Sequence, residues 1–165
     1  MYFRRMKDIR LVQRPNKKKT IRQQRVREHT FLKYWRVVRH YIRRKYDISA
    51  AELDMLLYLY DLPYFKKSDF NYYGSVMSWD KKRFIRMKQK NLIREWQRRG
   101  NEASLYELTS LGKTICRQTY KKLLGEEHIS EIPHNNPVMK RETFSDKMYS
   151  EIIKKMNATR QTDNE

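Results

Sequence analysis

Cysteine, glycine and proline are all scarce in this chain of 165 residues: one cysteine, four glycines and four prolines. A lone Cys116 excludes an internal disulfide and a cysteine-based metal site. Four glycines supply no glycine-rich loop of the kind that cradles phosphate. No apolar run approaches the roughly 18 residues of a membrane-spanning helix. The opening residues, Met1-Tyr-Phe-Arg-Arg-Met-Lys7, lack the apolar stretch of a secretory signal. Acidic residues are also in short supply, 19 against 38 Lys and Arg, which leaves a net charge of +19. With a mean hydropathy of -1.00, a single small core is expected.

The positive excess is confined. Residues 1–45 carry +15, residues 46–60 carry -3, residues 61–100 carry +7, and residues 101–165 balance to zero. Confinement of this kind points to a polyanion-binding surface rather than to general solubility. Lys17, Lys18 and Lys19 close a basic arm over residues 1–19, whose excess charge makes it a candidate for phosphate contact.

Periodicity predicts mostly helix. Phe31, Trp35, Val38, Ile42 and Tyr46 recur every three or four residues, one apolar stripe of a helix spanning 21–46. Arg36, Arg39, Arg43 and Arg44 fall mostly off that stripe, free to meet phosphate. Ser49 and Glu52 form a capping box, with Ile48 and Leu53 as its hydrophobic staple. The run Leu53-Asp-Met-Leu-Leu-Tyr-Leu59 predicts a helix buried on most sides. Residues 66–73 read as a short helix closed by Gly74.

Ser78 then caps a basic helix, Ser78-Trp-Asp-Lys-Lys-Arg-Phe-Ile-Arg-Met-Lys-Gln-Lys90, with Asp80 in its first turn. Phe84 and Met87 share its packing side, while Lys82, Ile85, Arg86 and Gln89 share the other. Leu92 to Arg99 and Ser104 to Leu108 read as a hairpin across the turn Gly100-Asn-Glu-Ala103. Thr109 or Ser110 caps a last core helix with Leu111, Ile115, Thr119 and Leu123 inside and Gly125 at its end. Cys116 is expected to be a small buried hydrophobe.

Helix, turn, basic helix and hairpin in this order describe a mainly α fold with a small β-hairpin wing, a winged helix-turn-helix. The predicted organisation is a basic arm (1–19), the winged domain (20–125), a linker containing Pro133 and Pro137 (126–144), a C-terminal amphipathic helix (145–157) and a disordered tail (158–165). Met148, Ile152, Ile153 and Met156 give that last helix an apolar stripe. It needs a partner, either the first helix or a second subunit.

The segment from Phe31 to Leu124 resembles the multiple-antibiotic-resistance regulator (MarR) family. The resemblance is carried by Ser49-Ala-Ala-Glu-Leu53, Arg83-Phe-Ile-Arg-Met-Lys-Gln-Lys-Asn-Leu-Ile-Arg94 and Leu108-Thr-Ser-Leu-Gly112. Asn91 stands where that family usually has glycine, and asparagine also tolerates a left-handed backbone. The resemblance implies a homodimer held by terminal helices, with recognition helices in major grooves and wings in minor grooves. The groove-reading positions would be Ser78, Lys81, Lys82, Ile85 and Arg86. The wing contacts would be Arg98, Arg99 and Asn101. The wing tip lacks the Asp-x-Arg stretch usual in that family.

Enzyme chemistry finds little footing. His29, His40, His128 and His134 are scattered, and the last two match no helical ligand pair, so neither metal nor cofactor is expected. Cys116 has no basic partner at a spacing that would activate it. No catalytic residue is assigned. The aromatics Tyr58, Tyr60, Tyr64, Phe65, Tyr72 and Tyr73 are expected to pack, although they could stack on unpaired bases. A small-molecule effector of the MarR type has no residue demonstrating its pocket. The expected function is sequence-specific binding of double-stranded DNA by a cytoplasmic, nucleoid-associated transcriptional regulator. The alternative is a winged-helix nucleoprotein or assembly component, of viral or plasmid type, that binds nucleic acid non-specifically or binds RNA.

Overall fold

The computed structural model describes residues 31–69, 72, 74, 80–97 and 104–162, with the side chains of 161 and 162 excepted. The chain is mainly helical with a small antiparallel sheet of three strands. In order come α1 (Phe31–Tyr46), α2 (Ala50–Leu59), β1 (Phe65–Lys66), α3 (Lys81–Gln89), β2 (Ile93–Gln97), β3 (Leu105–Leu108), α4 (Ser110–Leu124), a 3-10 turn (Pro137–Lys140) and α5 (Phe144–Thr162). None of the described helices is long and apolar enough to cross a membrane.

α2 begins as its sequence dictates. The Ser49 hydroxyl accepts from the Glu52 N–H at 3.2 Å, and the Glu52 carboxylate accepts from the Ser49 N–H at 2.7 Å. Two of the helix's orphan donors are thereby satisfied. Leu53, Met55, Leu56 and Leu59 are buried at the centre of the core, whereas Tyr58 is exposed. α1 packs against α2, α4, α5 and the 3-10 turn. Because so many elements surround it, its buried face comprises Val37, Val38, Tyr41 and Ile42. Phe31 is exposed, and Trp35 and Tyr46 are only partly covered.

β1 is an addition to the expected architecture. It pairs with β3, placing Phe65 opposite Tyr106, and the sheet order is β1-β3-β2. Two residues are too few to show a period-two pattern, and the sequence places Phe65 and Lys66 at the edge of a short helix. Asp69, Tyr72 and Gly74 do carry helical backbone.

α4 starts at Thr109 and stops at Gly125, whose φ of 88° is the left-handed value that glycine reaches without strain. Its inner face carries Ile115, Cys116, Thr119 and the stem of Lys122, while Leu111 is exposed and Leu123 half-buried. The helix is rotated slightly from the expected stripe, so that Cys116 meets the Leu56 carbonyl of α2 at 3.3 Å.

The segment expected to be a linker is packed structure. Ile129, Val138 and Met139 are buried. Asn136, fully buried, donates to the Ser130 carbonyl at 2.7 Å and accepts from the Val138 N–H at 3.0 Å. Pro137 therefore begins a helical turn, where its missing N–H costs nothing, and does not mark a loose chain. α5 also runs beyond the expected end at residue 157. It turns Ile153 and Met156 onto the chain's own core and leaves Met148 and Ile152 partly exposed.

Candidate functional site

α3 has two distinct sides. Phe84 and Met87 are buried, and Phe84 meets the Tyr106 ring edge-on at 5.0 Å. Lys81, Lys82, Ile85 and Arg86 are exposed, as are Lys88 and Gln89. Spacing explains this division. Residues 84 and 87 lie one turn apart on the core side, and 82, 85, 86 and 89 cover the opposite side.

The cap of α3 is Asp80, whose carboxylate accepts from the Arg83 N–H at 2.7 Å. An acid here also meets the positive end of the helix. Ser78, expected as the cap and as a groove-reading residue, lies outside the described residues. So do the wing residues Arg98, Arg99 and Asn101 and the arm residues Lys17, Lys18 and Lys19.

The far end of α3 is clamped to the frame. Asn91 takes a left-handed φ of 54°, and the Leu92 N–H donates to the Met87 carbonyl at 2.9 Å. Lys90 donates to the Asp47 carbonyl and stands 3.5 Å from the Glu52 carboxylate, tying α3 to the start of α2. The Thr109 hydroxyl donates to the Asn91 carbonyl at 2.6 Å and accepts from the Gly112 N–H at 3.1 Å. One side chain thus caps α4 and fixes the turn after α3. A Cβ on Gly112 would lie 2.6 Å from the Leu92 carbonyl oxygen, so a hydrogen is needed there. These contacts give the stretch Leu108-Thr-Ser-Leu-Gly112 a physical meaning: it locks α3 and the hairpin together.

The hairpin carries its own ion pairs. Arg94 on β2 reaches Glu107 on β3 at 2.6 Å, and Lys113 approaches the same carboxylate at 3.7 Å. Beside them the Tyr64 and Trp96 rings meet at a 40° tilt with centroids 4.3 Å apart, both substantially exposed. Sequence reasoning groups Tyr64 with the packing aromatics and gives Trp96 no role. Their pairing depends on β1, which no local pattern announces.

The cations of α3 divide by use. Lys88 lies over the Tyr106 ring and Lys90 is held by Asp47 and Glu52. Lys81, Lys82, Arg83 and Arg86 have no ion pair among the described residues, although 83 is less exposed than the others. Four such cations on one short helix, beside the paired strands β2 and β3, form a surface that can attract anions.

The Cys116 thiol is pushed up to about 12, first by burial and then by the nearby Asp61 carboxylate. It stays protonated and bonded to a backbone carbonyl, a poor nucleophile. His128 and His134 are both exposed, and no group of three or more potential metal ligands gathers among the described residues. Comparison with protein-family models, with curated proteins and with solved structures finds no match for this chain.

Proposed function

We propose that this protein is a winged helix-turn-helix that binds double-stranded DNA through α3 and acts as a transcriptional regulator. The observation that carries this reading is the outer face of α3, where Lys81, Lys82, Ile85 and Arg86 are exposed and the cations have no ion pair among the described residues. Phosphates and base edges are the partners such a face suits, and a single helix fits the major groove. The element order supports it as well: a helix, a short strand, the basic helix, and a hairpin whose return strand pairs with that first strand. Lys82 and Arg86 stand one turn apart on the outward side. An arginine there can make a bidentate contact to guanine, worth about 1–3 kcal/mol of discrimination.

The same reading includes a homodimer. Ile153 and Met156 are already engaged within the chain, so the residues left to a second copy are Phe144, Met148 and Ile152. Light scattering at high micromolar concentration should report twice the chain mass. A monomer would remove this part of the reading.

The test is a competition between a duplex selected for binding and a random duplex. Lys82→Ala and Arg86→Ala should lower the preference for the selected site. An unchanged ratio, with affinity for both duplexes lowered, would point instead to a non-specific nucleoprotein.

A further inference from the structure

A cleft of about 260 Å³ opens between α1 and α5, lined by Arg36, Arg39, His40, Arg43 and Tyr149. Arg36, Arg39 and Arg43 stand three or four apart, so they share one face of the helix. The aromatic wall is fixed in place. Tyr149 stacks on His40 with ring centroids 4.3 Å apart, and His40 Nε2 lies 2.8 Å from the Asp146 carboxylate. That carboxylate is fully buried and is further engaged by Arg44 at 3.2 Å and by the hydroxyl-capped turn at Thr143. It is therefore occupied away from the cleft arginines.

The three arginines are poorly matched by acids. Arg39 meets Asp54 at 3.3 Å, a pair open to solvent on both sides. Its Nε is buried and finds no acceptor among the described residues. The side chains of Arg36 and Arg43 make no hydrogen bond or ion pair among the described residues. Three guanidinium groups thus face one carboxylate.

Size and chemistry narrow the ligand. Pockets for drug-sized organic molecules run from roughly 300 Å³ upward and are mostly apolar. This cleft is smaller and cationic. The planar fork of arginine matches tetrahedral oxyanions and carboxylates in a bidentate way, and phosphate carries the larger charge. We propose that the α1–α5 cleft is a phosphate-binding site, taking a phosphate or pyrophosphate group between Arg36, Arg39 and Arg43, separate from the basic face of α3. The group can come from a free phosphoanion or from a polynucleotide backbone, because the recognising chemistry is the same.

The experiment has two arms and uses the full chain. In the first, inorganic phosphate and pyrophosphate are titrated calorimetrically into the wild type, into the double variant Arg36→Gln/Arg43→Gln, and into Lys82→Ala/Arg86→Ala. Binding should be saturable in the wild type and fall about tenfold or more in the cleft variant, and it should be unchanged in the α3 variant. In the second arm, the same proteins bind duplex DNA with and without pyrophosphate. If the phosphates belong to a polynucleotide, the cleft variant loses duplex affinity and pyrophosphate competes. If the ligand is a free phosphoanion, duplex affinity is unaffected. Lys154→Gln, an exposed charge on α5 outside the cleft, serves as control. Melting curves should show the cleft variant folded, since neither glutamine replaces a bonded side chain. Absence of arginine-dependent binding in both arms, or an equal loss from Lys154→Gln, would overturn the proposal. Because the α3 variant is scored separately, failure of this site is distinguishable from failure of DNA reading.

Discussion

Cations do different things at the two ends of this molecule. In the frame built by α1, α4 and α5 many of them are tied down. Arg44 bonds Glu142 at 2.9 Å and Asp146 at 3.2 Å. Lys122 reaches the Glu127 carboxylate and the His128 carbonyl, and Arg141 pairs with Glu151. Arg160 donates to the Lys122 and Leu123 carbonyls at 2.7 and 3.0 Å, satisfying the end of α4, and lies over the Tyr34 ring. On α3, by contrast, Lys81, Lys82, Arg83 and Arg86 have no such partner among the described residues. Charge density alone therefore does not mark an interface. The candidate surfaces are those where the fold leaves positive charge uncompensated among the described residues, on α3 and again in the arginine cleft of α1.

This contrast predicts opposite mutational behaviour. The largest effect on stability should come from Arg160→Ala. It strips donors from the carbonyls at the end of α4 and removes the cation from Tyr34. A loss of about 1–3 kcal/mol is expected, read as a melting temperature several degrees lower. A melting curve matching the wild type would show that this arginine is dispensable to the frame.

A smaller, pH-dependent effect should come from Asp146. Burial by itself would raise its carboxyl, but hydrogen bonds from His40 and Thr143 and the charge of Arg44 outweigh burial and hold it below the ordinary carboxylate value. A depressed folded value means that its contribution is present above the unfolded value, at about pH 4. That contribution is lost as pH falls through the lower folded value. Acid melting of Asp146→Asn should accordingly be flatter than the wild type below about pH 4. Parallel acid limbs would contradict the role assigned to this carboxylate.

The smallest effect should come from the uncompensated cations. Lys81→Ala, Lys82→Ala and Arg86→Ala should each stay within about 0.5 kcal/mol of wild-type stability, because none gives up an ion pair. Denaturant titration checks this. A destabilisation above about 1 kcal/mol would mean that the α3 face has a structural duty after all.

Much of this arrangement is readable from spacing. The capping box at Ser49 and Glu52, the buried Phe84 and Met87 and the stop at Gly125 all follow from local rules. Those rules act over four residues or fewer, and here the tertiary contacts agree with them. The parts that are not readable depend on distant pairing. β1 exists because Phe65 meets Tyr106, far away in sequence. Residues 126–143 pack because Asn136 and Val138 find buried partners, whereas Pro133 and Pro137 have the look of linker residues. The arginines of α1 all read alike along the sequence. Only the fold separates Arg44, bound to Asp146, from Arg36 and Arg43, which pair with nothing among the described residues. Asp80 takes the place expected for Ser78 as the cap of α3, since either side chain could accept from the first-turn N–H groups and the sequence offers both.

The slope of affinity against salt tests the central claim most directly. Duplex affinity is measured between about 50 and 200 mM salt for the wild type, for Lys81→Ala/Lys82→Ala/Arg86→Ala, and for Lys121→Gln/Arg141→Gln, whose cations are already paired. If about 6–10 phosphates are neutralised, wild-type affinity should fall about 10³–10⁵-fold over that range. Removing the three uncompensated cations should flatten the logarithmic slope by about 1 for each phosphate no longer neutralised, and removing the two paired ones should leave it alone. A flat wild-type response, or equal flattening by both variants, would contradict the account.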